Sequence, residues 1–223
     1  MYKAYIEAAN QLNAVALQNP NDVERIAKSE KHWANNQLNG VFNRSIPVRK
    51  GDVYGFDFGK NYKPEMTYQH RGIVFGMNGN LLYVLPITSF KSSNPLHIDA
   101  FHPVDNPSSK SDLFLLKKSE GHAFITHDSL VKLNDIRTVS LNRKMPKKYG
   151  VLDTTSTTYQ QLEDLVIQRY FPTFHYQQQL MLQQAEASQN ELDKLRDQVS
   201  GLRAELELLK SENTRLSEIQ GNQ

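Results

Sequence analysis

Residues 48–91 read VRKGDVYGFDFGKNYKPEMTYQHRGIVFGMNGNLLYVLPITSFK, and the order of their parts decides the fold. Gly51-Asp52 is turn chemistry. In Val53-Tyr54-Gly55-Phe56-Asp57-Phe58 the aromatics at 54, 56 and 58 alternate with smaller or polar residues, the period of a half-buried strand whose aromatic side faces a core. Residues 59–70 then hold Lys60, Lys63, Glu65, Gln69 and His70 among Tyr62, Met66 and Tyr68, a long loop of hydrogen-bond donors and ring faces. Arg71 opens the run Gly72-Ile73-Val74-Phe75-Gly76-Met77, Asn78-Gly79 is a strong hairpin signal, and Leu81-Leu82-Tyr83-Val84-Leu85-Pro86-Ile87 returns. The hairpin is expected to place Arg71, at the open end of one strand, near Thr88 and Ser89 at the open end of its partner.

Beyond Thr88 the pattern predicts short strands at 96–102, 113–116, 123–125, 130–133 and 136–141, with 103–111 a long loop that borders the groove. Thr157 and Gln160 have capping-box spacing, Tyr159, Leu162, Val166 and Tyr170 mark one helical face, and Pro172 ends that helix. Ahead of the hairpin, residues 1–46 read as a helical arm packed on the strands. Tyr2, Tyr5, Ile6, Leu12 and Val15 give a first helix stopped at Asn19-Pro20; Asn21-Asp22 caps a second with Val23, Ile26 and Trp33 on one face.

After Thr173 the composition turns to Gln, Leu, Glu and Lys, and apolar residues recur at three and four. Placing heptad position a at 192, 199, 206 and 213 makes Leu192, Leu195, Val199, Leu202, Leu206, Leu209, Asn213 and Leu216 a coiled-coil seam of about four heptads. Glu191 at g faces Arg196 at the next e of a partner, Glu205 faces Lys210 and Gln198 faces Arg203, which predicts a parallel homodimer. Asn213 at a favours two strands over three. Gly201 lies at c, outside the seam, and costs about 1 kcal/mol against Ala.

At 223 residues and 39% hydrophobic, the chain holds one ordinary core plus an appendage. No run is apolar enough for a membrane span and no signal peptide is visible. Zero cysteine excludes disulfides, thiolate zinc and thiol catalysis, and fits a cytoplasmic setting. Residues 180–223 carry five Lys or Arg against eight Asp or Glu, which leaves twenty-one against sixteen elsewhere. The tail is mildly acidic and the rest mildly basic, in agreement with a nucleic-acid-binding face. His32, His97, His102, His122, His127 and His175 show no metal-ligand spacing.

The pieces Arg49-Lys50-Gly51-Asp52-Val53-Tyr54, Glu65 and Gln69 ahead of Arg71, and Val84-Leu85-Pro86-Ile87-Thr88-Ser89 together resemble the MazF/PemK toxin family. Those proteins are small SH3-like barrels that cut single-stranded RNA. Residues 128–139 are similar to the family's late strand pair, and 155–171 fall where its closing helix sits. The likeness covers residues 48–172. One departure stands out: the family usually follows its loop arginine with proline, and Gly72 follows here.

The resemblance implies an SH3-like barrel with a closing helix over 47–172, which with the helical arm over 1–46 and the coiled coil over 173–223 makes an α+β chain. It implies a metal-independent, cofactor-free endoribonuclease of a toxin–antitoxin or phage-defence system, restrained by a protein or RNA antitoxin. The family's arginine and threonine or serine carry over onto Arg71 and Thr88. A guanidinium suits phosphate gripping better than proton abstraction. The general base is open between His70 and Glu65, and His70 drops out if residue 71 already lies in an extended strand, because successive side chains alternate. Lys60, Lys63, Tyr68, Gln69, Ser89 and Lys91 are the candidate RNA contacts. Two other readings stand beside the nuclease: a catalytically silent barrel that binds nucleic acid or protein, and a gyrase poison of the same fold.

Overall fold

The alternation read over the hairpin becomes two long antiparallel strands, β2 (Gln69–Asn78) and β3 (Leu81–Ser89). Asn78 pairs with Leu81, so the tight turn is Gly79-Asn80, one residue later than Asn78-Gly79. Gly79 has φ +58°, which glycine adopts without a Cβ penalty at the first central position of a hairpin turn. The remaining strands are β1 (Asp52–Asp57), β4 (Leu113–Leu116), β5 (Ser129–Lys132), β6 (Arg137–Ser140) and β7 (Lys144–Val151).

These seven strands form one antiparallel sheet in the order β4-β5-β3-β2-β1-β7, with β6 paired to the Leu81–Val84 half of β3. Among the described residues no pairing joins β4 to β7, so the closed barrel that was expected is an open sheet. The computed structural model describes residues 2–18, 20–39, 47–61 and 64–220, except the side chains of residues 5, 15, 16, 20, 21, 39 and 212–220. It divides into two compact units, Met1–Arg169 and Tyr170–Gln223.

Contrary to the half-buried expectation, β1 is buried on both faces. Val53 joins Ile73, Leu85, Ile87, Phe114 and Phe124 in one core, which α4 (Thr157–Tyr170) closes with Tyr159, Leu162 and Val166. Tyr54, Phe56 and Phe58 join Met66, Val74, Leu82 and Val84 in a second. Each fully buried side chain of this size contributes about 1.5–3 kcal/mol. A strand filled on both sides is therefore held more firmly than a one-faced strand.

The arm consists of α1 (Tyr2–Gln18) and α2 (Pro20–Asn39). The expected stop at residue 19 lies outside the described residues. The second helix starts at Pro20, a residue suited to the first helical turn, ahead of the expected Asn21-Asp22 cap. It docks by polar groups, because the expected apolar face stays open: Trp33 is 60% exposed. Ser29 Oγ donates to Oδ1 of the buried Asp57 at 2.7 Å, His32 Nδ1 lies 3.4 Å from its Oδ2, and Asn36 Nδ2 donates to the Asn142 carbonyl at 2.8 Å. A buried carboxylate needs such partners, so Asp57 fixes where α2 sits.

Two expected strands are absent. Residues 96–102 begin with a short helix, α3 (Pro95–Ile98), because Asn94 accepts the Leu96 N–H and Pro95 fits the first turn. Residues 123 and 124 form a turn, and 125 is irregular. The strand β7 was not anticipated. At α4 the cap is Ser156, whose Oγ accepts the Tyr159 N–H at 3.2 Å, and not Thr157.

The second unit contains the single helix α5 (Pro172–Gln220), so Pro172 ends one helix and begins the next. The side chains of Asn213 and Leu216 lie outside the described residues. No described helix is long and apolar enough to cross a membrane.

Candidate functional site

The register of the hairpin and its neighbours sets the site. Arg71 lies opposite Gly55 of β1 and Ile87 of β3, and Ile87, Thr88 and Ser89 in turn lie opposite Val131, Leu130 and Ser129 of β5. Directly opposed residues share a face and successive ones alternate. Gln69, Arg71, Ile87 and Ser89 thus occupy one face, while His70 and Thr88 occupy the reverse.

On the Arg71 face lies a groove of about 490 Å³, lined by Gly55, Gln69, His70, Arg71, Ile87, Thr88, Ser89 and the β7 residues Met145, Pro146, Lys147 and Tyr149. Gly55 forms part of its floor. A Cβ there would stand 3.2 Å from Met145 Cγ and 3.6 Å from Tyr149 Cε2, so the missing side chain lets β7 close over the hairpin. The Arg71 guanidinium lies 5.5 Å from the Tyr149 ring centroid, and Lys147 Nζ lies 5.0 Å from the same centroid. Arg71 also donates through Nη1 to the Phe124 carbonyl at 2.5 Å. Among the described residues, neither cation has a carboxylate at ion-pair distance and the lining contains no Asp or Glu. Two cations held over one ring without a counter-ion make an anion site.

The loop between β4 and β5 brings a group that sequence reasoning set aside. His127 Nε2 stands 2.8 Å from Ser89 Oγ, and Thr126 Oγ1 stands 3.0 Å from His127 Nδ1. Phe124, the acceptor for Arg71, belongs to the same loop. One loop therefore orients Arg71 and carries an exposed imidazole onto Ser89, a residue of the groove lining, to which His127 itself does not belong. Among the described residues no group of His, Cys, Asp and Glu has an arrangement that would hold a metal ion.

Of the candidate bases named from the sequence, His70 belongs to the groove lining but alternates away from the face of Arg71, and Glu65 is not in the lining. β2 begins at Gln69, so residue 71 is extended, the condition under which His70 drops out. Burial lowers the pKa of His70, and Arg25 of α2 and Lys132 of β5 add to the shift from the reverse face. Glu65 is tied to Arg137 Nη2 at 2.8 Å and does not line the groove.

The candidate RNA contacts divide as well. Gln69 and Ser89 line the groove. Lys60 pairs with Glu30 at 2.5 Å in a separate hollow between α2 and the sheet. Tyr68, with φ +60°, is a bulky residue in the left-handed region; burial first and Asp22 of α2 second push its pKa up. Lys91 is exposed and donates its backbone N–H to His97 Nδ1, away from the groove. Lys63 lies outside the described residues. The loop expected to border the groove instead faces α4, where Ser109, Lys110 and Ser111 line a hollow with Leu165 and Arg169.

Gly72 has its own explanation. A Cβ at this position would collide with Val84 Cγ1 and stand 3.2 Å from the Leu85 carbonyl oxygen and from Phe56 Cδ2. Here the packing of β3 excludes proline. Comparison with protein-family models and with curated proteins finds no match to this chain.

Proposed function

We propose that the chain is an endoribonuclease of the MazF/PemK kind, its sheet an SH3-like barrel left open between β4 and β7, that cuts single-stranded RNA within a toxin–antitoxin or phage-defence system. The observation that carries this reading is the pair of cations, Arg71 and Lys147, on the Tyr149 ring in a groove with no acidic lining. RNA supplies what such a groove takes: phosphates for the cations and bases to stack on exposed rings.

In the reaction the 2′-oxygen attacks the adjacent phosphorus, the P–O5′ bond breaks, and a 2′,3′-cyclic phosphate remains. The proton of the 2′-hydroxyl passes to the His127 imidazole, and the 5′-oxygen leaves with a proton taken from solvent water. Arg71 donates hydrogen bonds to the non-bridging oxygens as negative charge grows on them. Ser89 and Thr126 hold the His127 ring. An imidazole is the side chain best suited to proton transfer near neutrality. An enzyme of this kind is restrained by an antitoxin, a protein or an RNA, and works in the cytoplasm.

The strand alternation that turns the Thr88 side chain from the face of Arg71, although both residues line the groove, favours a second reading, a silent barrel that binds nucleic acid without cutting it. One experiment divides the two. Purified protein is incubated in EDTA with a long single-stranded RNA beside Arg71→Ala and Thr88→Ala, and the ends are mapped. Cuts that vanish in Arg71→Ala support the nuclease. Intact RNA with folded wild-type protein, bound more weakly by Arg71→Ala, supports the binding module.

A further inference from the structure

The heptad register of α5 extends further toward its N-terminus than the four heptads counted from Leu192. Carried back, it places Phe174, Met181 and Ser188 at d, and Gln178 and Ala185 at a. Phe174 and Met181 are 57% and 67% exposed, as open as Leu192 at 51% and Leu202 at 64%. From Leu180 to Ser211 every side chain is exposed, so among the described residues of this unit nothing covers this stripe. A 49-residue helix with an uncovered apolar face and an internal glycine draws little stability from propensity alone.

The charges identify what covers it. The g positions Glu191, Glu205 and Glu212 are acidic, and the e positions Arg196, Arg203 and Lys210 are basic. A parallel pair sets each g against the e of its partner, acid against base. An antiparallel pair sets g against g and e against e, acid against acid and base against base. The pattern is complementary to itself in one sense only. We infer that α5 pairs with the α5 of a second copy, in parallel, along its length from Phe174. The small residues Ala185 and Ser188 sit in the N-terminal half of this seam. This inference stands independently of the nuclease reading.

The chain has no cysteine, so engineered thiols report the pairing without background. Met181→Cys and Leu209→Cys are prepared separately in the full chain and oxidised, and the wild-type mass in solution is measured. The expected result is a dimeric wild type and a disulfide-linked dimer from each variant alone. A monomeric wild type overturns the inference, and so do cross-links that form only when the two variants are mixed, which is the antiparallel outcome. Cross-linking of Leu209→Cys without Met181→Cys overturns pairing along the whole helix.

Discussion

The guanidinium of Arg71 lies 5.5 Å from the centre of the Tyr149 ring, with Lys147 5.0 Å from the same ring. The ring joins a residue of the hairpin to two residues of the edge strand β7. A cation over a ring is worth about 0.5–2 kcal/mol. Tyr149→Ala should therefore weaken the binding of a non-cleavable 2′-deoxy oligonucleotide by about 2- to 30-fold, measured by fluorescence anisotropy. Tyr149→Phe keeps the ring face and should bind as the wild type does. Equal losses in both variants would place the effect in the hydroxyl.

Ser89 and Thr88 should behave oppositely, although they are neighbours. His127→Gln removes the imidazole held 2.8 Å from Ser89 and should lower the cleavage rate by about 10²- to 10⁴-fold. It should also remove one limb of the pH–rate profile. Thr88→Val, on the reverse face, should leave that profile unchanged. A Thr88→Val enzyme as slow as His127→Gln would show that the hairpin register does not set the chemistry.

Gly72 should resist replacement for a reason confined to one neighbour. Gly72→Ala forces a methyl into Val84 Cγ1 and should destabilise the fold by about 1–3 kcal/mol in urea unfolding. Adding Val84→Ala removes that atom, so the double variant should lose less than the two single losses together. Strict additivity would place the strain elsewhere.

His70 gives the fold a pH dependence. Its pKa is lowered by burial, and by the Arg25 and Lys132 charges, from an unfolded value of about 6.5. Below that value the unfolded chain binds a proton that the folded one refuses. Its contribution to stability is thus present above about pH 6.5 and lost as the pH falls through that value toward the folded pKa. Thermal unfolding from pH 8 to pH 5 should show this slope in the wild type and a flatter one in His70→Gln, with cleavage retained in the variant at pH 7.5.

The hairpin, the closing helix and the heptads of α5 were legible because each repeats a local period over many residues. The strand β7 was not. Met145-Pro146-Lys147-Lys148-Tyr149-Gly150 has no alternation, and its strand conformation follows from pairing with β1 through two register shifts. Leu96 and Ile98 look like strand residues, yet Asn94 and Pro95 turn them into a helix that leaves both exposed. The site divides in the same way. Arg71, Gln69 and Ser89 follow from the hairpin, whereas His127 reaches Ser89 across 38 residues and leaves no local signal.

The most direct test of the central claim is digestion, in EDTA, of two single-stranded RNAs that differ only by a 2′-deoxy sugar at one mapped cleavage position. The account expects the cut to disappear at that position alone, to persist at the others with 2′,3′-cyclic phosphate ends, and to vanish everywhere in Arg71→Ala. Cleavage that persists at the deoxy position, or an RNA left whole by folded wild-type protein, would contradict it.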